Sequence, residues 1–364
     1  MKPIDKELAC PLYMPQLDGL RAVAVAAVVW FHYTDFQYIC GVPVGTLGVQ
    51  LFFVLSGFLI TGILLRYGSG RATDKLYFLR NFYILRALRL CPLFYSTLAL
   101  LIILNAPTYR EYIFWHVLYL SNVFQFLFKV DTYGTHFWTL AVEEQFYLCW
   151  PLIVLFLRPR QVVYICVTLI VAAPVFRYVF RDIEYANRLL PAALDFLAAG
   201  ALLACFHLRL PVSTANWVVD LLAIFGVFGA AAGLVLPALF LIPTSVCLIF
   251  TWIIWRARVG FSGAIGSALM SPPLVGIGRV SYGIYVLHPI AIFLWHWFLF
   301  TAPVPGYRIF ARIGIPKSVY ENPITEISVG LTLTAFMVTI SWHFLESPCN
   351  ELKHRFPYTR LKTG

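Results

Sequence analysis

The stretch Leu47-Gly48-Val49-Gln50-Leu51-Phe52-Phe53-Val54-Leu55-Ser56-Gly57-Phe58-Leu59-Ile60-Thr61-Gly62-Ile63-Leu64-Leu65-Arg66 carries no charge before its last residue. About 20 apolar residues in helical form cross the hydrocarbon core of a bilayer. In that solvent a helix satisfies its own backbone groups, and few other structures do. Working outward, comparable runs lie at 17–35, 82–105, 138–157, 162–180, 190–208, 217–235, 239–256, 281–300 and 326–345. They are long and unbroken, unlike the short alternating segments of an outer-membrane barrel. The pattern predicts an all-α fold, a polytopic transmembrane helical bundle of about ten spanning helices.

Composition agrees. Of 364 residues, 60% are hydrophobic and only 12% charged, against about 25% charged in soluble domains. Mean hydropathy is +0.79. An ordinary water-soluble enzyme and a disordered chain are both excluded, and 8 Cys are too sparse for a disulfide scaffold. The stretch 112–128 is also apolar, but His116 and Asn122 interrupt it, so it is not expected to span. With ten spans and the N-terminus inside, 19 of the 27 Lys and Arg fall on the cytoplasmic side and 8 outside. A span at 112–128 would move Arg158 and Arg160 outside and weaken that bias, so both termini are expected in the cytoplasm. The first apolar run reads as a retained helix and not a signal peptide. A single membrane domain over 1–364 is expected, with no appended soluble domain. The net charge of +10 then needs no nucleic acid. Inner basic residues face membrane lipids with anionic headgroups, or an anion in the cytosol. Their densest cluster is Arg66, Arg71, Lys75, Arg80, Arg86 and Arg89.

Ionisable residues inside the spans are the candidates for chemistry. Helix one carries Arg21 and His32. Eleven residues return a helix to within about 20° of the same face, so the two share a stripe, roughly 16 Å apart along the axis. Asp18 can pair with Arg21 at i and i+3. Arg21 also fits a simple positive-inside anchor. His32 suits proton transfer near neutral pH.

The segment His136-Phe137-Trp138-Thr139-Leu140-Ala141-Val142-Glu143-Glu144-Gln145-Phe146-Tyr147 sets two carboxylates in an apolar helix. Adjacent helical residues point about 100° apart, so only one of Glu143 and Glu144 can aim at a given partner. It either orients His32 and stabilises its imidazolium, or hydrogen-bonds to a neighbouring helix. Asp195 and Asp220 are taken as structural, and Ser56-Gly57 with Gly62 as close-packing positions. His288 precedes Pro289 near an expected helix end, and His296 between Trp295 and Trp297 fits an interfacial belt. His116, His207, His343 and His354 show no ligand spacing, and no Cys-x-x-Cys occurs, so no metal or redox site is expected.

Six motifs occur in order: Arg21-x10-His32, Leu51-Phe52-Phe53-Val54-Leu55-Ser56-Gly57-Phe58-Leu59-Ile60, Arg86-x-x-Arg89, the His136–Tyr147 segment, Gly278-x-x-Ser281-Tyr282-x-x-Tyr285-x-x-His288, and Glu346-Ser347-Pro348. Together they resemble the membrane acyltransferase family three, which includes bacterial O-antigen acetylases and other modifiers of polysaccharides and macrolides. Family members commonly have Thr-Trp-Ser where this chain has Phe137-Trp138-Thr139. Larger relatives add an esterase-like extracytoplasmic domain.

The resemblance implies transfer of an acyl group, often acetyl, from cytosolic acyl-coenzyme A to an acceptor hydroxyl. The setting it implies is the bacterial cytoplasmic (inner) membrane. The acceptor would be a saccharide, a lipid-linked sugar or a related molecule. No permanently bound cofactor is implied; acyl-CoA, expected as acetyl-CoA, is the donor substrate. The family's functional histidine falls on His32, its arginine on Arg21, and its coenzyme-binding pair on Arg86 and Arg89. His32 would be either a general base or an acylated relay. Glu143 and Glu144 join it as catalytic candidates. Trp138, Ser281 and Tyr282 are candidate donors to a developing oxyanion, and Tyr285 and His288 candidate acceptor contacts. A transporter or flippase of a lipid-linked saccharide is the competing reading, but it predicts internal repeats and paired broken helices, and each motif occurs once.

Overall fold

The structure is a computed structural model describing residues 14–34, 38–39, 42–68, 74–131, 134–207, 212–235 and 241–358. Arg71 of the predicted basic cluster lies outside them. The described residues are helical almost throughout. Its elements are α1 (Pro15–Tyr33), α2 (Val44–Ile63), α3 (Lys75–Ile103), α4 (Ile113–Val117), α5 (Ser121–Phe128), α6 (Phe137–Phe156), α7 (Pro159–Val179) and α8 (Leu190–His207). They continue with α9 (Val212–Val235), α10 (Ile242–Val259), α11 (Gly263–Leu269), α12 (Pro272–Arg279), α13 (Ser281–His296), α14 (Gly306–Arg312), α15 (Lys317–Tyr320), α16 (Pro323–Ser341) and α17 (Ser347–Glu351). The strand pairs are a two-residue ladder, β1 (Tyr38–Ile39) with β2 (Val42–Pro43).

Nine helices among the described residues are long and apolar enough to cross a membrane. They match nine of the ten predicted spans. The tenth, α1, forms as predicted but carries Asp18, Arg21 and His32, and it is not among the nine. Residues 112–128 break into α4 and α5, each far too short to span. Helix α3 begins at Lys75, ahead of the predicted 82, because Phe78, Asn81 and Phe82 form a buried face there. His288 and Pro289 lie inside α13, not near a helix end.

The chain divides into two compact units. The first comprises 1–24, 49–75 and 142–279. Within it α7 packs along α8, α9 along α10, and α10 also meets α8. Lipid tails are as apolar as leucine, so such helices associate by close packing and polar ties. Both are present. A side chain at Gly57 would run into the backbone of Leu197, and one at Gly200 into that of Val54, so α2 and α8 touch backbone to backbone. Asp195, fully buried on α8, takes both terminal nitrogens of Arg177 on α7 (3.1 and 2.7 Å) and the hydroxyl of Thr244 on α10 (2.8 Å). Asp220 on α9 accepts from Arg256 (2.6 Å) and Trp252 (2.8 Å) on α10. Both acids are ties between helices.

The second unit comprises 25–48, 76–141 and 280–364. Its α13 packs along α16, where His296 Nε2 lies 3.1 Å from a Glu326 carboxylate oxygen in place of a purely aromatic belt. His116 is buried against the Tyr109 ring and shares a hydrogen bond with Ser121 (2.9 Å). The chain after α17 lies back on the start of α3: Asn81 donates to the Pro357 carbonyl (2.7 Å), and Tyr358 packs on Phe78.

Candidate active site

The site is best built from Pro289. Proline has no backbone N–H, so within a helix it strips the carbonyl four residues earlier of its usual donor. In α13 that carbonyl belongs to Tyr285. His288 Nδ1 fills the gap, 2.9 Å from Tyr285 O and 3.1 Å from Ile284 O. Both neighbours are pure acceptors, so Nδ1 of His288 carries the ring proton, and in the neutral ring Nε2 is left as a lone-pair acceptor.

That Nε2 stands 3.2 Å from Nδ1 of His32. His32 Nδ1 also lies 2.9 Å from the Val28 carbonyl, one turn back on α1. Two acceptors converge on one nitrogen, so His32 Nδ1 holds a proton and its Nε2 is an unprotonated base. His288 is fully buried, whereas His32 keeps an open side. The group on His32 Nδ1 is thus an imidazole, whereas one of the two readings open for Glu143 and Glu144 set a carboxylate there.

The surroundings hold this pair. Tyr33, next on α1, donates to the His288 carbonyl (2.5 Å) and is hydrogen-bonded to Thr334 of α16 (2.9 Å). The His136 ring lies 5.4 Å from that of His288, and its Nε2 donates to Val286 O (3.2 Å). His136 Nδ1 is buried without a hydrogen-bond partner among the described residues. Tyr285 shares a 2.5 Å hydrogen bond with Thr139 at the start of α6. Three histidines therefore gather in one unit, and His136, given no role from sequence, is one of them.

Other candidates fall as follows. Glu143 accepts from Ser56 Oγ (2.5 Å), which itself accepts from the Tyr147 hydroxyl (2.8 Å). One turn on, Trp150 donates to Thr61 (2.7 Å). Ser56 is therefore a partner of Glu143 and not merely a small packing residue. Glu144 is half-buried on the same helix. Arg21 pairs with Asp18 at 2.8 Å, as its spacing predicted. Tyr282 spends its proton on the Leu90 carbonyl (2.6 Å), so it is not a spare donor for an oxyanion. Ser281 is buried at the start of α13, and Trp138 is half-buried in the first turn of α6.

Arg86 and Arg89 lie on α3 at i and i+3. Both act electrostatically on Lys353, and Arg89 on Glu346. Glu346 accepts from Ser341 (2.8 Å) and sits where Gly283 leaves room on α13. Lys353 is a third cation beside the arginine pair, and no motif marked it.

Residues 14–346 match the family model described as "Acyltransferase domain". The chain is 28% identical to O-acetyltransferase OatA of Staphylococcus aureus strain NCTC 8325 / PS 47, over 94% of this chain and 58% of that protein. A putative O-acetyltransferase of strain MSSA476 is 27% identical, over 92% of this chain and 57% of its own length. The chain thus spans less than two thirds of these relatives. No solved structure matches.

Proposed function

The chain belongs to the acyltransferase-domain family, and from that premise we propose that it is an integral membrane O-acyltransferase of the bacterial cytoplasmic membrane. It moves an acyl group, acetyl by analogy with the O-acetyltransferase relatives, from acyl-CoA in the cytosol to a hydroxyl of a saccharide or related acceptor across the membrane. The observation that carries this reading is the hydrogen-bonded His32, whose Nδ1 is engaged by Val28 O and His288 and whose Nε2 is left as the base.

In the reaction, His32 Nε2 takes the proton of the acceptor hydroxyl as its oxygen attacks the thioester carbonyl. The new C–O bond gives a tetrahedral oxyanion. The C–S bond then breaks, and the departing thiolate takes the proton from His32. The products are an ester and free coenzyme A. A positioned base contributes roughly 10²–10⁴-fold. While His32 is an imidazolium, its Nδ1–H still meets two acceptors, which stabilises the charge. Arg86 and Arg89 grip the coenzyme's phosphates by charge-assisted hydrogen bonds, with Lys353 beside them and Arg21 as a further donor-side cation. Glu143 and Glu144 serve as catalytic carboxylates, Trp138 and Ser281 donate to the oxyanion, and Tyr285 lines the acceptor side.

The test is transfer of labelled acetyl from acetyl-CoA to a panel of saccharides by the protein in proteoliposomes. Wild type should form an acetyl ester, and His32→Ala at equal abundance should lose about a hundredfold or more. Undiminished turnover in His32→Ala would remove His32 from the chemistry.

A further inference from the structure

We propose that His288 is a positioning residue that holds His32 in its Nδ1–H tautomer, and that Pro289 builds this device by freeing the Tyr285 carbonyl to take the His288 proton. The inference rests on the reading of His32 as the base and extends it to a residue buried beneath the site. Four contacts carry it. His288 Nδ1 faces two carbonyl oxygens and, among the described residues, nothing that donates. Its Nε2 meets His32 Nδ1 at 3.2 Å. The backbone that bears it is clamped by Tyr33, which donates to the carbonyl of His288 itself. His288 is fully buried and both its ring nitrogens are engaged, so it has no ring nitrogen to offer an acceptor molecule. What it can do is accept a hydrogen bond.

Without that acceptor, Val28 O alone competes for the His32 proton, and the alternative tautomer places a proton on Nε2, where a base must have none. The defect is in the chemical step and leaves donor binding intact. His288→Phe fills the volume without an acceptor, whereas His288→Gln carries an amide oxygen that can reach His32 Nδ1.

The experiment is ¹⁵N-histidine NMR of the full-length protein in nanodiscs, paired with steady-state kinetics of both variants. Wild-type His32 should give the nitrogen shifts of an Nδ1–H imidazole. His288→Phe should lower kcat about a hundredfold with KM for acyl-CoA changed less than about twofold, and His288→Gln should recover most of kcat. His32 found as the Nε2–H tautomer in the wild-type protein would overturn the proposal even if neither variant folds. So would equal losses in the two variants with His32 shifts unchanged. Full activity in His32→Ala would instead overturn the base assignment, a separate result, because the tautomer is read from wild type.

Discussion

Nε2 of His288 and Nδ1 of His32 lie 3.2 Å apart, although 256 positions separate them in the chain. The contact links His32 to the proton-free nitrogen of a ring whose other nitrogen donates into a proline-induced gap in α13. Each step in that chain is ordinary hydrogen-bond chemistry. Under the proposed function, their order leaves Nε2 of His32 as the reactive nitrogen.

Glu143 should be needed as a carboxylate. Glu143→Gln keeps its shape but weakens what the Ser56 hydroxyl donates to. Ser56→Ala leaves the charge and removes one charge-assisted bond, worth ~1.5–3 kcal/mol. Turnover in membranes should fall further for Glu143→Gln than for Ser56→Ala. Equal turnover in Glu143→Gln and wild type would make the carboxylate a purely structural tie.

The donor phosphates should depend on three cations. Arg86→Ala and Arg89→Ala should each raise KM for acyl-CoA about tenfold or more, at ~1.5–3 kcal/mol per charged hydrogen bond. Lys353→Ala should raise it less, and kcat should change little. Unchanged coenzyme A affinity in the Arg86/Arg89 double variant would leave the pair as topological anchors.

Asp195 should matter for stability and not for chemistry. Its removal leaves Arg177 buried with no ion partner at that position, a loss of ~3–5 kcal/mol for a broken buried pair. Asp195→Ala should lower the thermal transition in detergent and the yield in membranes. A double Arg177→Met, Asp195→Leu variant should recover much of it.

His116 should make the protein sensitive to acid. Burial pushes its imidazole down to about 4 from the ordinary 6.5. Between those values the unfolded chain binds a proton that the folded chain refuses, so stability rises with pH through the window. This contribution is complete above pH 6.5 and lost as pH falls toward 4, up to ~3 kcal/mol at 1.36 kcal/mol per pKa unit. Denaturation followed from pH 7 to 4 should show a shallower loss in His116→Phe than in wild type. Identical slopes would count against the buried neutral ring.

Much of this was readable in the chain. Apolar runs of bilayer length gave the helices, and the polar His116 and Asn122 marked 112–128 as a stretch without a spanning helix. His32 announced itself as an ionisable group in an apolar helix. Its partner did not, because a contact over 256 positions leaves no mark on local periodicity. The same holds for Ser56 and Glu143, 87 positions apart, where the small residue looked like packing. His136 stood in a recognisable segment but next to two carboxylates that drew the chemical reading. Lys353 sits in a polar tail with no spacing to single it out; only the return of that tail along α3 brings it to the arginines.

Sidedness tests the central claim most directly, that the acyl group passes from a donor at one face to an acceptor at the other. In sealed vesicles of known orientation, acetyl-CoA on the cytoplasmic side should acetylate a saccharide enclosed on the opposite side. Free coenzyme A should collect where the donor was added, and acetyl-CoA supplied only on the outer side should give no product. Transfer that proceeds only when donor and acceptor share the cytoplasmic side would contradict the account.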